Sequence, residues 1–263
     1  MIDALFQQTP LWLFFPATVA VVLASVAGGH RLGRRVRGKE ADETEGPAGT
    51  TVGSNFALLA FILAFTFNMT ASRFDARKEL LLEEINSIGT TYLRTDFLPE
   101  PTRSAAQKLL REYVDIRVQG ASDIGKLQQA VNDSELIQKE LWSQLVELTT
   151  QDHDPRLLSL YIQALNDVID NHAKRVTVGT RHQIQGVIWL ALFFVTMLAT
   201  GAMGYQFGLT EARSKTMVMV LSLSFSAVIM LIADLDRSGE GLLRLDQAPM
   251  IELQAKIGQT QFD

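Results

Sequence analysis

Four stretches without one ionisable side chain, Leu11–Gly28, Val52–Met69, Val187–Gly204 and Met217–Ala233, constrain this chain more than any other feature. A helix needs roughly eighteen or more such residues to cross a hydrocarbon core. The fourth run is at the short end of that range. The second, with Ser54, Asn55, Thr66 and Asn68, is the most polar. Overall polarity is ordinary, at 20% charged and 47% apolar residues, so the signal is how the apolar residues are gathered. No strand pattern with turn signals, repeat or low-complexity tract is visible. The fold class read from this is all-α: four transmembrane helices with a helical extramembrane domain inserted between spans 2 and 3. The spans fall at residues 11–28, 52–69, 184–204 and 216–234. Between them lie a basic-then-acidic polar loop at 30–50 and the long segment 71–182, and a C-terminal tail follows at 235–263.

The first run differs from a signal peptide, because Met1–Pro10 carries an acid and no basic residue, and no small-residue cleavage site follows. It is read as a retained span. Arg31, Arg34, Arg35, Arg37 and Lys39 stand directly after it in a short connection, where positive charge sets topology. That loop is expected to be cytoplasmic, as is the short third connection with Arg213 and Lys215. The termini and segment 71–182 then lie outside, in a multi-pass membrane protein. The absence of cysteine excludes disulfides, thiolate metal sites and cysteine nucleophiles. A net charge of −5, spread over both signs, points to no nucleic-acid partner.

The second apolar run passes into SRFDARKELLLEEIN with no Gly, Pro or turn dipeptide at the junction, so one helix is expected from the bilayer to about residue 97. At 100° per residue, the face of Phe61 collects Ser54, Leu58, Phe65 and Asn68, then Ser72, Asp75, Glu79, Glu83, Asn86 and Thr90. The opposite face collects Leu59, Leu63, Thr70, Phe74, Leu81, Ile85, Ile88 and Tyr92. Two readings of the first face stand. Asp75, Glu79 and Glu83 form an ordinary solvated surface while Asn68 bonds to a neighbouring helix. Alternatively, several copies surround an axis, with Leu58, Phe61, Phe65 and Asn68 as a pore and gate and Asp75, Glu79, Glu83 and Asn86 lining a vestibule.

The rest of 71–182 reads as helix. Pro101 opens one with Leu109, Leu110, Tyr113 and Ile116 at helical spacing, and Gly120 and Gly125 punctuate its end. A second places Leu136, Leu141, Leu145 and Leu148 on its apolar side. Asp154 and Pro155 read as N-cap and first helical residue of a third.

The runs LLAFILAFTF (58–67), SRFDARKELLLEEINSIGTTYLR (72–94), REYVDIR (111–117) and DLDRSGEGLLRLDQAPM (234–250) resemble the bacterial bestrophin-like membrane proteins. Ser238 departs from that pattern, in which Pro commonly follows Asp-Leu-Asp-Arg. The resemblance implies similarity to bestrophins, pentameric anion channels with four spans per subunit and a narrow neck lined by the second span. Carried over, it makes Leu58, Phe61 and Phe65 neck candidates. It also implies cytoplasmic termini, against the charge of the first loop. Rings of acids attract cations, so either Asp75, Glu79 and Glu83 lie off the axis or the pore is not anion-selective.

At the ends of spans 2 and 4, Arg73 and Arg77 are expected to pair with Asp234 and Asp236. Ser222, Ser224 and Ser226 follow one another at two-residue spacing, so they do not share a helical face; one or two are expected to bond to the i−4 carbonyl. Ala20, Ala24 and Gly28 form a small-residue row suited to helix packing. His30, His153, His172 and His182 make no metal-ligand spacing, and no catalytic or phosphate-binding motif appears. No metal, cofactor or enzymatic activity is expected. The partners are the bilayer, ions and further copies of the chain. The function expected is a homo-oligomeric ion channel, with a non-conducting scaffold that binds a protein or lipid as the alternative.

Overall fold

The computed structural model describes residues 9–37, 45–150, 154–181, 184–210, 215–237 and 241–259. Lys39, His153, His182, Arg213 and Ser238 lie outside them. The described residues form eight α-helices: α1 Leu11–Val36, α2 Glu45–Arg94, α3 Thr102–Ser122, α4 Leu127–Thr149, α5 Pro155–Arg181, α6 Gly186–Thr210, α7 Lys215–Asp236 and α8 Ala248–Gln259. No strand occurs among the described residues. Four helices, α1, α2, α6 and α7, are long and apolar enough to cross a bilayer. The chain divides into two compact units, Met1–Phe74 with Gln183–Leu243, and Asp75–His182 with Arg244–Asp263.

Helix α2 runs unbroken for 50 residues. Its buried hydroxyls are satisfied within the helix, Thr66 Oγ1 donating to Ile62 O at 2.8 Å and Thr70 Oγ1 to Thr66 O at 3.0 Å. Neither hydroxyl therefore needs a break in the backbone ladder to find a partner. The helix begins at Glu45, earlier than the loop read at 30–50 implied, because Pro47 falls in its first turn, where a missing N–H costs no bond. From the other side α1 carries that loop's first arginines as helix.

In the first unit, Leu11, Phe14, Leu59, Leu63, Trp189, Leu192, Ala199, Ile229 and Ile232 make a common core. Helices α1 and α6 approach through glycines. A Cβ on Gly29 or Gly33 would fall on the carbonyl oxygens of Gly201 and Tyr205, and one on Gly204 would sit 2.8 Å from Val26 Cα. In a bilayer helices gain little from hydrophobic association, so close backbone approach supplies the van der Waals contact. The row expected from Ala20, Ala24 and Gly28 is not this seam. Those three residues are exposed, and a Cβ on Gly28 meets nothing. The packed face is the opposite one, through Val22, Val26, Gly29 and Gly33. Gly204→Val is expected to cost about 1–3 kcal/mol through overpacking, lowering the melting temperature by about 3–10 °C. Gly28→Val is the control that leaves it unchanged in the same thermal-shift measurement.

The serines of α7 sort as expected, since the three do not share one face and one of them bonds to its i−4 carbonyl. Ser222 and Ser226, four residues apart, share one buried face, while Ser224 is exposed and bonds back to Val220 O at 2.9 Å. Neither Ser222 Oγ nor Ser226 Oγ has a hydrogen-bond partner.

The second unit is built on Leu81, Ile88 and Tyr92 of α2, Leu110, Tyr113 and Val114 of α3, Leu141, Leu145 and Leu148 of α4, and Tyr161, Leu165 and Val168 of α5. Leu136 is not on the buried side of α4. It is 61% exposed and Ile137 takes the place, since the core phase runs through 134, 137, 141, 145 and 148. Gly120 does not punctuate α3. It is buried inside the helix, where the missing Cβ admits Ala130 of α4. Asp154 caps α5, its carboxylate accepting from Arg156 N–H at 2.8 Å. The segment read only as a tail contains α8, which sends Met250, Leu253 and Ile257 into this core. Its end is tied down as well, Arg111 Nε donating to Ile257 O at 2.9 Å and Gln254 Nε2 to Asp115 Oδ1 at 2.7 Å.

Candidate functional site

The α2 stripe is divided as its periodicity demands. Leu58, Phe61 and Phe65 are 49%, 69% and 64% exposed, and Asn68, Asp75, Glu79, Glu83 and Asn86 are exposed along the same side. Leu59, Leu63, Thr70, Leu81, Ile88 and Tyr92 on the other side are buried. Phe61 and Phe65 stand one turn apart, about 6 Å along the axis. Two aromatic rings so exposed beside Leu58 form an apolar strip on the surface of the chain. Beyond Asn68 the strip gives way to side chains that carry charge or amides.

One of the ion pairs expected at the ends of spans 2 and 4 is present among the described residues. Arg73 Nη1 lies 3.9 Å from Asp236 Oδ1. The Asp236 carboxylate also accepts the backbone N–H of Ile184, at 2.8 and 3.1 Å, so it joins the end of α7 to α2 and to the approach to α6. Asp234 has a different task from the pairing expected of it. Its oxygens accept from Leu242 N–H at 3.0 Å and Leu243 N–H at 3.1 Å, closing the turn after α7. Gly241 stands in that turn at φ +95°, and any Cβ there would strike the Asp234 carboxylate. Backbone amides outcompete a mobile guanidinium here because the turn presents them at fixed positions. Arg77 lies buried one turn beyond Arg73.

Sequence reasoning missed the most concentrated polar cluster, which centres on Glu84. This carboxylate is fully buried. Arg117 Nε lies 3.0 Å from its Oε1, Arg175 Nη1 donates to Oε2, and the Tyr113 hydroxyl lies 2.9 Å from Oε1. The Tyr113 hydroxyl is also 3.0 Å from His172 Nδ1, and Gln138 Nε2 donates to it at 3.4 Å. One carboxylate thus links α2, α3 and α5, with α4 reached through Tyr113. Burial by itself would raise the Glu84 carboxyl, but the Arg175 guanidinium, the nearby His172 imidazole and Arg117 together outweigh it and hold the pKa well below the usual carboxylate range. Burial, then the Glu84 charge, push the Tyr113 phenol well above its ordinary value. A signal was present: Glu84 occupies the buried phase between Leu81 and Ile88, and a buried carboxylate demands partners. The quoted run REYVDIR contains two of them, Tyr113 and Arg117. His172, weighed only against a metal site, is a third. Among the described residues no group of three or more His, Asp or Glu could hold a metal ion.

Comparison with known proteins fits this architecture. No curated protein matches the sequence. Two crystal structures share the fold with a TM-score of 0.64 each. One is a point variant of a bacterial bestrophin homologue from Klebsiella pneumoniae, 12% identical, covering 95% of this chain and 98% of its own. The other is a point variant of a protein described as a membrane protein, 11% identical, covering 94% and 97%. Residues 17–250 match the bestrophin-like domain. With the domain matched over nearly the whole chain and the fold shared from end to end, the chain belongs to the bestrophin-like family.

Proposed function

We propose that this protein is a homo-oligomeric ion channel, a pentamer as family likeness implies, whose α2 helices surround the conduction path. The observation that carries the reading is the exposed α2 strip, in which Leu58, Phe61 and Phe65 precede Asn68, Asp75, Glu79, Glu83 and Asn86 on one side of one unbroken helix. Arranged about an axis, the aromatic rings form a constriction that closes by dewetting. The polar residues form a vestibule that concentrates ions. Arg73, Asp234 and Asp236 hold helix ends and stay out of the path. The Arg-rich end of α1 faces the cytoplasm, leaving the termini outside, in a bacterial inner membrane. A reporter enzyme active only outside, fused after Asp263, tests that orientation.

Planar-bilayer recording of the purified protein tests conduction. Unitary currents support the reading. Their absence across salts and voltages, together with an oligomer whose axis is closed, favours a non-conducting scaffold. Glu79→Gln with Glu83→Gln tests the vestibule. Loss of two acids per subunit is expected to move the reversal potential in a tenfold salt gradient by at least about 10 mV toward anion preference, since rings of carboxylates favour cations. An unmoved reversal potential places the acids off the ion path.

A further inference from the structure

A groove of about 710 Å³ opens between α1 and α7 in the membrane unit. Its walls are apolar, with Leu23 and Val26 from α1 facing Val218 and Leu223 from α7. Its rim is cationic, built from Arg31 and Arg34 near the end of α1 and Lys215 at the start of α7. Among the described residues none of these three cations is paired with a carboxylate. From Arg31 down to Val19, the deepest α1 residue of the groove, twelve residues span about 18 Å. That is close to one leaflet of a hydrocarbon core about 30 Å thick.

Two residues that line the same groove carry buried polar atoms that lack a protein partner. Ser222 is 1% exposed and its Oγ is unbonded, and the buried Nδ1 of His30 is unbonded as well. An acyl chain alone would leave both unsatisfied, at a cost that buried polar groups rarely bear. An occupant with phosphate at the rim, ester oxygens below it and chains deeper still would satisfy every part.

We infer that this groove is a binding site for an anionic phospholipid of the leaflet facing the Arg-rich end of α1. The headgroup phosphate lies between Arg31, Arg34 and Lys215. Ser222 and His30 meet the oxygens of the ester region, and an acyl chain follows Leu23 and Leu223. Basic pockets between spanning helices recognise anionic headgroups in this way.

The full-length protein, purified in detergent and equilibrated with mixed phosphatidylglycerol and phosphatidylethanolamine, is examined by native mass spectrometry. Phosphatidylglycerol is expected to be retained over phosphatidylethanolamine at least about tenfold. Arg31→Gln, Arg34→Gln and Lys215→Gln combined should abolish the preference, and Leu223→Trp, which fills the groove with the cations intact, should abolish retention. All four positions are exposed in the protomer, and gel filtration shows whether each variant assembles. Equal retention of the two lipids, a preference that survives the triple change, or full displacement by glycerol phosphate would overturn the proposal. Because the chain contains no cysteine, Leu223→Cys can also carry the sole thiol-linked fluorophore. Quenching by brominated phosphatidylglycerol supports the site. An unquenched label in the assembled protein means that another copy of the chain covers the groove, and the lipid assignment fails.

Discussion

Truncating Phe61 or Phe65 to alanine is expected to raise the current through reconstituted protein at least about tenfold at fixed voltage. Dewetting of a narrow neck depends on the apolar area that water must cover. Removing a phenyl ring takes away on the order of 100 Å² per subunit, equivalent to about 2.5 kcal/mol at 25 cal/mol per Å². A little over half of that, appearing in the barrier to wetting, changes a rate or population about tenfold. The double variant should conduct with weaker voltage dependence than either single one. Phe194→Ala on α6 is the matched control, an exposed ring on a helix assigned no place in the pore. Should currents stay at the wild-type level in both α2 variants, or rise equally in Phe194→Ala, the rings of α2 are not the gate.

Replacing Glu84 with glutamine should be the most destabilising single change in the second unit. Arg117 and Arg175 would keep their charges at a buried site with no counter-charge, a loss of about 3–5 kcal/mol. For a chain of this size that corresponds to a fall in melting temperature of about 10 °C. The size comes from the stranded cations, so removing them as well, with Glu84→Leu, Arg117→Leu and Arg175→Met together, should recover most of the loss. The same carboxylate predicts a pH dependence. Its folded pKa lies below the ordinary value of about 4.3, so between the two values the unfolded chain binds more protons. Stability from Glu84 is therefore complete above about pH 5 and declines as pH falls through and below 4. Thermal unfolding followed from pH 7 to pH 3 should show that decline in the wild type. In Glu84→Gln the difference from wild type should narrow with acidification. A constant difference across the range would remove Glu84 as the linked group.

Several features were legible along the chain because one helix reports its own periodicity. The exposed strip of α2 and its buried reverse follow from a 100° step applied to residues 54–92, and the four spans follow from charge-free length. Where the reading slipped, the missing information was phase relative to a neighbour. Leu136 and the row Ala20, Ala24 and Gly28 satisfy a spacing rule yet point away from the partner helix. Gly120 looks like punctuation until Ala130 is found against it. Helix α8 could have been anticipated from Met250, Leu253 and Ile257 at helical spacing, although nothing local says which core receives them.

The sequence by itself determined that four helices cross a membrane, that the second continues far beyond it, and which side chains share each of its faces. These are properties of a single helix in a given solvent, set by side-chain transfer energy and by backbone geometry alone. Only the tertiary structure decided that Glu84 gathers Tyr113, Arg117, His172 and Arg175 from helices up to 91 residues away, and that Asp234 turns to backbone amides while its neighbour Asp236 takes Arg73. A buried charge must find a partner, but the chain does not record which of its 24 basic residues will be near enough. That is settled by packing, in which the seating of every helix depends on all the others.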